Sequence, residues 1–188
     1  MTEISEVGRP TPRPLRMVAI FVAVAVILQW VWWEARGTAV ERAVINVATV
    51  ETAVSIIDAW TPEVHAVAAG TTIRAPGGGI NILNGCEGTE VLFLLIAGLL
   101  AYPMSWGRRG VGVVLGTVFV FVLNQVRLLA LFYSYRADRA LFDQLHGLVA
   151  PLILIALSLG FLVLLIRWNE PIRAGRSGAG QAFREARV

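Results

Sequence analysis

The chain has 188 residues, 56% of them apolar, with a mean hydropathy of +0.68. That composition excludes an ordinary soluble domain and puts the chain in the membrane class. The net charge of +3 is carried by arginines with no lysine, and they flank apolar runs instead of forming one basic face, so no nucleic-acid partner is expected.

In chain order, Met1–Arg16 is polar, with Arg9, Arg13 and Arg16 set among prolines, and residues 1–14 are expected to form a disordered tail. Leu15–Trp33 is the first apolar run, long enough for a hydrocarbon core about 30 Å thick, which takes about 20 helical residues. Trp30, Trp32 and Trp33 at its far end suit the interface. A cleaved signal peptide fits less well, because bulky tryptophans stand where small residues should precede the cut.

Residues 34–87 form a polar interlude. Val40, Ala43, Val44, Val47, Val50, Val54 and Ile57 recur at helical spacing, which predicts an amphipathic helix to about Ala59, lying against the membrane and ended by Thr61-Pro62. Short strands are expected over Glu63–Ala68, Thr71–Ala75 and Ile80–Leu83, with Pro76–Gly79 as a turn. That glycine run is no phosphate loop, since no Lys-Ser/Thr follows it.

The second span is read over Val91–Met104, begun about a turn earlier at Gly88 and broken by Pro103 and Gly107. The third runs over Val111–Tyr133 and the fourth over Leu148–Trp168, leaving 169–188 as a polar tail. The predicted fold is an all-α polytopic membrane protein: four transmembrane helices within 15–168, with a small external helix-plus-β-hairpin segment (34–87) between the first two. Ten arginines, in the N-terminal tail, at Arg108-Arg109 and from Arg167 onward, fall on one side of this arrangement. Arg36, Arg42, Arg74, Arg136 and Arg139 fall on the other and are mostly offset by acids. The positive-inside rule then puts both termini in the cytoplasm.

Three unusual residues end up at the outer level. Cys86, the single cysteine, precedes the second span, and His146 precedes the fourth. Arg127 lies within the third, roughly 9 Å below its end at about 1.5 Å per residue, with Asn124 on the same face. Each has an ordinary reading: a thiol that only packs, an arginine that snorkels to headgroups, a histidine that anchors at the interface. Together they make a chemical set. A thiolate is a strong nucleophile, favoured by nearby cations and by a helix N-terminus. Imidazole exchanges protons near neutrality, and a guanidinium, which keeps its charge, can hold an oxyanion. Cys86, His146 and Arg127 therefore compose a candidate cysteine peptidase or transpeptidase site, resolved through a thioester by water or an amine. Asn124, Glu87 and Glu90 are the adjacent candidates for substrate binding. Either acid could orient the imidazole, although both read more readily as solvated cap residues.

Gly85-Cys86-Glu87-Gly88-Thr89-Glu90 before a span, Leu123-Asn124-Gln125-Val126-Arg127 inside the next, and Phe142–His146 before the last resemble the exosortase/archaeosortase family, in its short, exosortase H-like form. The resemblance covers about residues 64–168. It implies Cys86 as nucleophile, Arg127 as oxyanion- or substrate-binding arginine and His146 as acid/base. It further implies a bacterial inner-membrane enzyme that cuts exported proteins at a C-terminal sorting signal of motif, transmembrane helix and basic cluster, at a site facing the exterior. No cofactor or metal is implied, and membrane lipid is the other partner. Glu87 departs from the pattern, since many members carry a small residue there. Two rivals stand beside this reading. One is a non-catalytic assembly factor or anchor, with a Gly112/Gly116 face for close helix packing. The other is a metal site from Cys86, His146 and His65, which lacks a fourth ligand.

Overall fold

The computed structural model describes residues 14–82 and 85–169. The expected tails, save Pro14 and Asn169, lie outside the described residues, as do Leu83 and Asn84. Helix α1 (Pro14–Glu34) is followed by a rod, Ala39–Trp60, made of α2 (Ala39–Arg42), a π-helical stretch (Ala43–Glu51) and α3 (Thr52–Trp60). A small antiparallel sheet comes next, order β1-β2-β3 (Val67–Ala69, Thr72–Ala75, Gly78–Asn81), after which α4 (Thr89–Ala101) and α5 (Trp106–Ala137) run antiparallel to each other. The last rod joins α6 (Arg139–Gln144), a π-helical turn (Leu145–Val149) and α7 (Ala150–Asn169).

Among the described residues, four helical rods are long and apolar enough to cross a membrane: Pro14–Glu34, Ala39–Trp60, Trp106–Ala137 and Arg139–Trp168. With the small sheet, this is an all-α polytopic membrane protein. The membership of that set differs from the sequence reading. At 13 residues, about 20 Å, α4 is short for a core of about 30 Å, whereas the rod Ala39–Trp60 qualifies by length.

Packing separates the two. In α4, Leu95, Ala97 and Leu99 are buried where the helix lies against α1, α5 and α7. Leu95 and Leu99 fit onto Gly116 and Gly112 of α5, and Phe119 stacks on Phe161 of α7 with ring centres 4.2 Å apart. The Gly112/Gly116 face thus serves packing within the chain, where small residues let helices approach closely. The rod Ala39–Trp60 instead buries Ile45, Val50, Ala53 and Ile57 in a second core, with Ile73 and Ile80 of the sheet and Leu128, Leu129, Leu131 and Phe132 of α5.

The exposed apolar residues mark where lipid would lie, because no soluble surface carries so continuous a belt. On α5 they run from Trp106 to Val126, about 30 Å of helix, and then cease. On the last rod they run from Leu148 to Trp168, with Leu141 exposed apart from that run, and on α1 from Leu15 to Trp33. Beyond Val126, α5 continues for about 15 Å into a cap built from the rod Ala39–Trp60 and the sheet. Tyr133 bonds Thr61 there at 2.6 Å, and the Arg136 guanidinium donates to the Pro76 carbonyl at 2.7 Å.

Three local expectations are corrected. Val40 and Val47 of the predicted stripe are exposed, while Ile45 and Thr49 are buried. The π-helical turns between Ala43 and Glu51 add a residue per turn, so a stripe laid out at 3.6 residues slips off its face. The strand expected from Glu63 starts only at Val67, because Pro62–Val64 forms a 3₁₀ turn ended by His65 at φ 49°. The third strand is Gly78–Asn81 instead of starting at Ile80.

Candidate active site

The loop before α4 is shaped by two glycines in the left-handed region, Gly85 (φ 96°) and Gly88 (φ 82°), on either side of Cys86-Glu87. Gly88 caps α4 and sits against Asn124: a Cβ there would lie 3.0 Å from Asn124 Cγ. Gly88→Ala therefore meets a strained φ and a packed neighbour together. It is expected to destabilise the fold by about 2 kcal/mol or more, read as a lower melting temperature in detergent.

Cys86 is half-buried and packs on the edge of the cap core. The Arg127 guanidinium points at it, with Nη2 4.0 Å from Sγ. At that separation the contact is one of charge more than of hydrogen bonding. Arg127 is the first residue of α5 past the exposed apolar belt, so it sits at the belt's edge, not roughly 9 Å beneath it. That depth takes the outer end of the helix as the membrane surface, whereas α5 runs on to Ala137 well past its last exposed large apolar residue, Val126.

His146 comes from the π-helical turn Leu145–Val149, just beyond the belt of its own rod, and π-bulges recur at functional sites. Its imidazole is exposed and stacks on Phe142, with ring centres 5.3 Å apart and planes 4° from parallel. Cys86 and His146 line one cavity of about 310 Å³, walled by β3 and Ile82 on one side and by Leu128, Leu131, Tyr135 and Phe142 on the other. Three elements thus bring a thiol, a guanidinium and an imidazole to one level and one neighbourhood.

The remaining candidates divide. Asn124 is 2% exposed, one turn below Arg127, and its Oδ1 has no partner among the described residues. Glu90 is exposed on the first turn of α4, near Gly85. Glu87 is not the solvated cap residue that its sequence position implies. It is 7% exposed, and its carboxylate accepts from Trp32 Nε1 (3.1 Å), Thr89 Oγ1 (2.9 Å) and the Gly85 N–H (2.6 Å). Glu87 does not line the cavity. His65 is exposed in the turn before β1 and is no part of the lining. Among the described residues no three metal-ligating side chains come together.

Sequence reasoning missed Tyr135 and Trp32. Tyr135 lies two turns past Arg127 on the same face, a spacing that could have flagged it as cavity wall. Nothing local to Trp32 announces its partner, 55 residues away.

Apolar helices that bracket a thiol-bearing loop, with an arginine against the thiol and a histidine lining the same cavity, define a multi-pass membrane protein with a candidate site at one end of its bundle. The family follows: the family model described as transmembrane exosortase (Exosortase_EpsH) matches residues 5–166, and the chain belongs to that family. No curated protein and no solved structure matches it. Membership puts it among membrane proteins concerned with the sorting and processing of exported proteins.

Proposed function

We propose that this chain is a membrane-embedded cysteine peptidase or transpeptidase that cleaves exported proteins at a C-terminal sorting signal. The observation that carries the reading is the shared cavity of Cys86 and His146, with the Arg127 guanidinium 4.0 Å from the sulfur. In the first step the Cys86 thiolate attacks the scissile carbonyl carbon and the carbonyl oxygen takes up negative charge. Arg127 stabilises that oxyanion, a role suited to a fixed positive fork. As the C–N bond breaks, His146 gives a proton to the departing amine, leaving an acyl-Cys86 thioester. Water or an acceptor amine then attacks the thioester, His146 takes the proton of the attacking group, and the thiolate is released. Asn124 and Glu90, next to the loop, are the candidate substrate contacts.

The arginine asymmetry of the sequence supports a bacterial inner-membrane orientation with both termini cytoplasmic and the site at the exterior face. The residues at 1–14 and 169–188 are then cytoplasmic tails of a catalytic unit spanning 15–168. A substrate helix has to approach within the bilayer, since the belt edge where Arg127 stands is bordered by lipid-facing Val126.

The test is direct. Co-expression with an exported protein that ends in motif, apolar helix and arginines, followed by acid quench, should yield a hydroxylamine-labile acyl adduct on Cys86. Processing without such an adduct at any time point overturns the mechanism.

A further inference from the structure

We infer that Glu87 and Trp32 are positioning residues for the thiol. The Glu87 carboxylate fastens the Cys86 loop to α1, so that the first membrane helix sets where the sulfur stands. This inference rests on the proposed role of Cys86 and deepens it.

The geometry is specific. Oε2 of Glu87 accepts from the Gly85 N–H at 2.6 Å and closes a ring around Cys86. Oε1 accepts from Thr89 in the first turn of α4 and from the indole N–H of Trp32 near the end of α1. Trp32 is the buried member of its tryptophan cluster, 7% exposed against 63% for Trp30 and 61% for Trp33. Its ring also meets Phe93 of α4 edge-on, with centres 6.3 Å apart. A carboxylate away from water is costly unless its lone pairs are taken, and here three donors take them. Glycines at both ends give the loop backbone more conformational freedom than other residues would. Glu87 removes that freedom from both sides of the thiol, and Trp32 ties the result to a helix that contributes no residue to the cavity lining.

The chain has one cysteine, so alkylation reports Cys86 alone. The groups facing it are Arg127 and Tyr135 from α5, His146 from the π-helical turn, and Glu87 and Glu90 from its own loop and α4; Ile80, Asn81 and Ile82 across the cavity carry no charge. In the full-length protein in detergent, the rate of iodoacetamide alkylation is measured against pH for wild type, W32F, E87Q and the double variant. Trp32→Phe removes the indole donor and changes no charge. If the loop is thereby released, the thiolate loses its Arg127 neighbour, and the midpoint of the alkylation profile should rise by about 1 pH unit, the size of one close charge contact. Glu87→Gln keeps an acceptor for Trp32 and Thr89 but loses the acceptor for Gly85, so its midpoint should rise too. The double variant should move little beyond the larger single effect, because both act through one link.

A W32F midpoint equal to wild type in a folded protein overturns the inference. So does a fall in the E87Q midpoint, which would mean that the carboxylate acts on the sulfur only by its charge, or full additivity in the double variant. Should E87Q fail to fold, W32F alone decides. Loss of processing in Cys86→Ala alongside unchanged W32F alkylation removes this inference and leaves the catalytic reading. Unaltered processing in Cys86→Ala removes the catalytic reading itself.

Discussion

Cys86→Ala is expected to abolish processing of the exported substrate, by at least about 10³-fold, while the protein remains in the membrane at wild-type abundance. The size follows from the step that is lost: without a nucleophile only substrate binding and oxyanion stabilisation remain, and removal of a nucleophile in covalent proteases costs far more than removal of a supporting group. The fold has little at stake. Cys86 is half-buried at the edge of the cap core, and its loop is held by Glu87 and shaped by Gly85 and Gly88. Truncating one sulfur there should cost under about 1 kcal/mol. Cys86→Ser should be equally inactive, since a hydroxyl has no thiolate for a guanidinium to stabilise. The measurement is an immunoblot of precursor and product in membranes, normalised to enzyme. A Cys86→Ala strain that processes at the wild-type rate would leave the assembly-factor reading in possession of the field.

What was legible in the chain follows from which physics acts locally. Span ends fix height, so Cys86, Arg127 and His146 could be assigned to one level from hydropathy and arginine asymmetry alone. Their lateral approach needed the packing of α4 on α5, and that came from Gly112 and Gly116 lying under Leu99 and Leu95. The cap was legible as a helix followed by short strands, but not its register. A π-helical stretch has no signature in a 3.6-residue pattern, so Ile45 and Thr49 were missed as core. The apolar run of the third span stops at Tyr133, although the helix continues to Ala137 because the cap covers its last turns. Glu87 is where sequence and fold diverge most. A glutamate between glycines reads as solvated, and only the tertiary fold shows Trp32 turned inward to meet it while its neighbours Trp30 and Trp33 face outward.

Arg127→Ala is expected to lower the turnover rate by about 10² to 10³-fold, the loss seen when one preorganised oxyanion donor is removed. The informative variant is Arg127→Lys. If Arg127 merely snorkelled to headgroups at the belt's edge, a lysine would do as well, because a flexible ammonium reaches the interface as readily as a guanidinium. If instead it serves the chemistry, the planar fork matters: it must stand beside Sγ and still present N–H groups to a carbonyl oxygen, which a compact point charge on a shorter reach does poorly. Arg127→Lys should then recover no more than about a tenth of the wild-type rate, on the scale of one misplaced charge-assisted hydrogen bond. The α5 packing argues that neither change unfolds the helix, since Leu128, Leu129 and Phe132 carry the cap contacts and Arg127 itself is half-buried. Rates normalised to membrane-inserted enzyme separate the outcomes. Full activity in Arg127→Lys would return the arginine to the lipid and leave the thiol without its oxyanion partner.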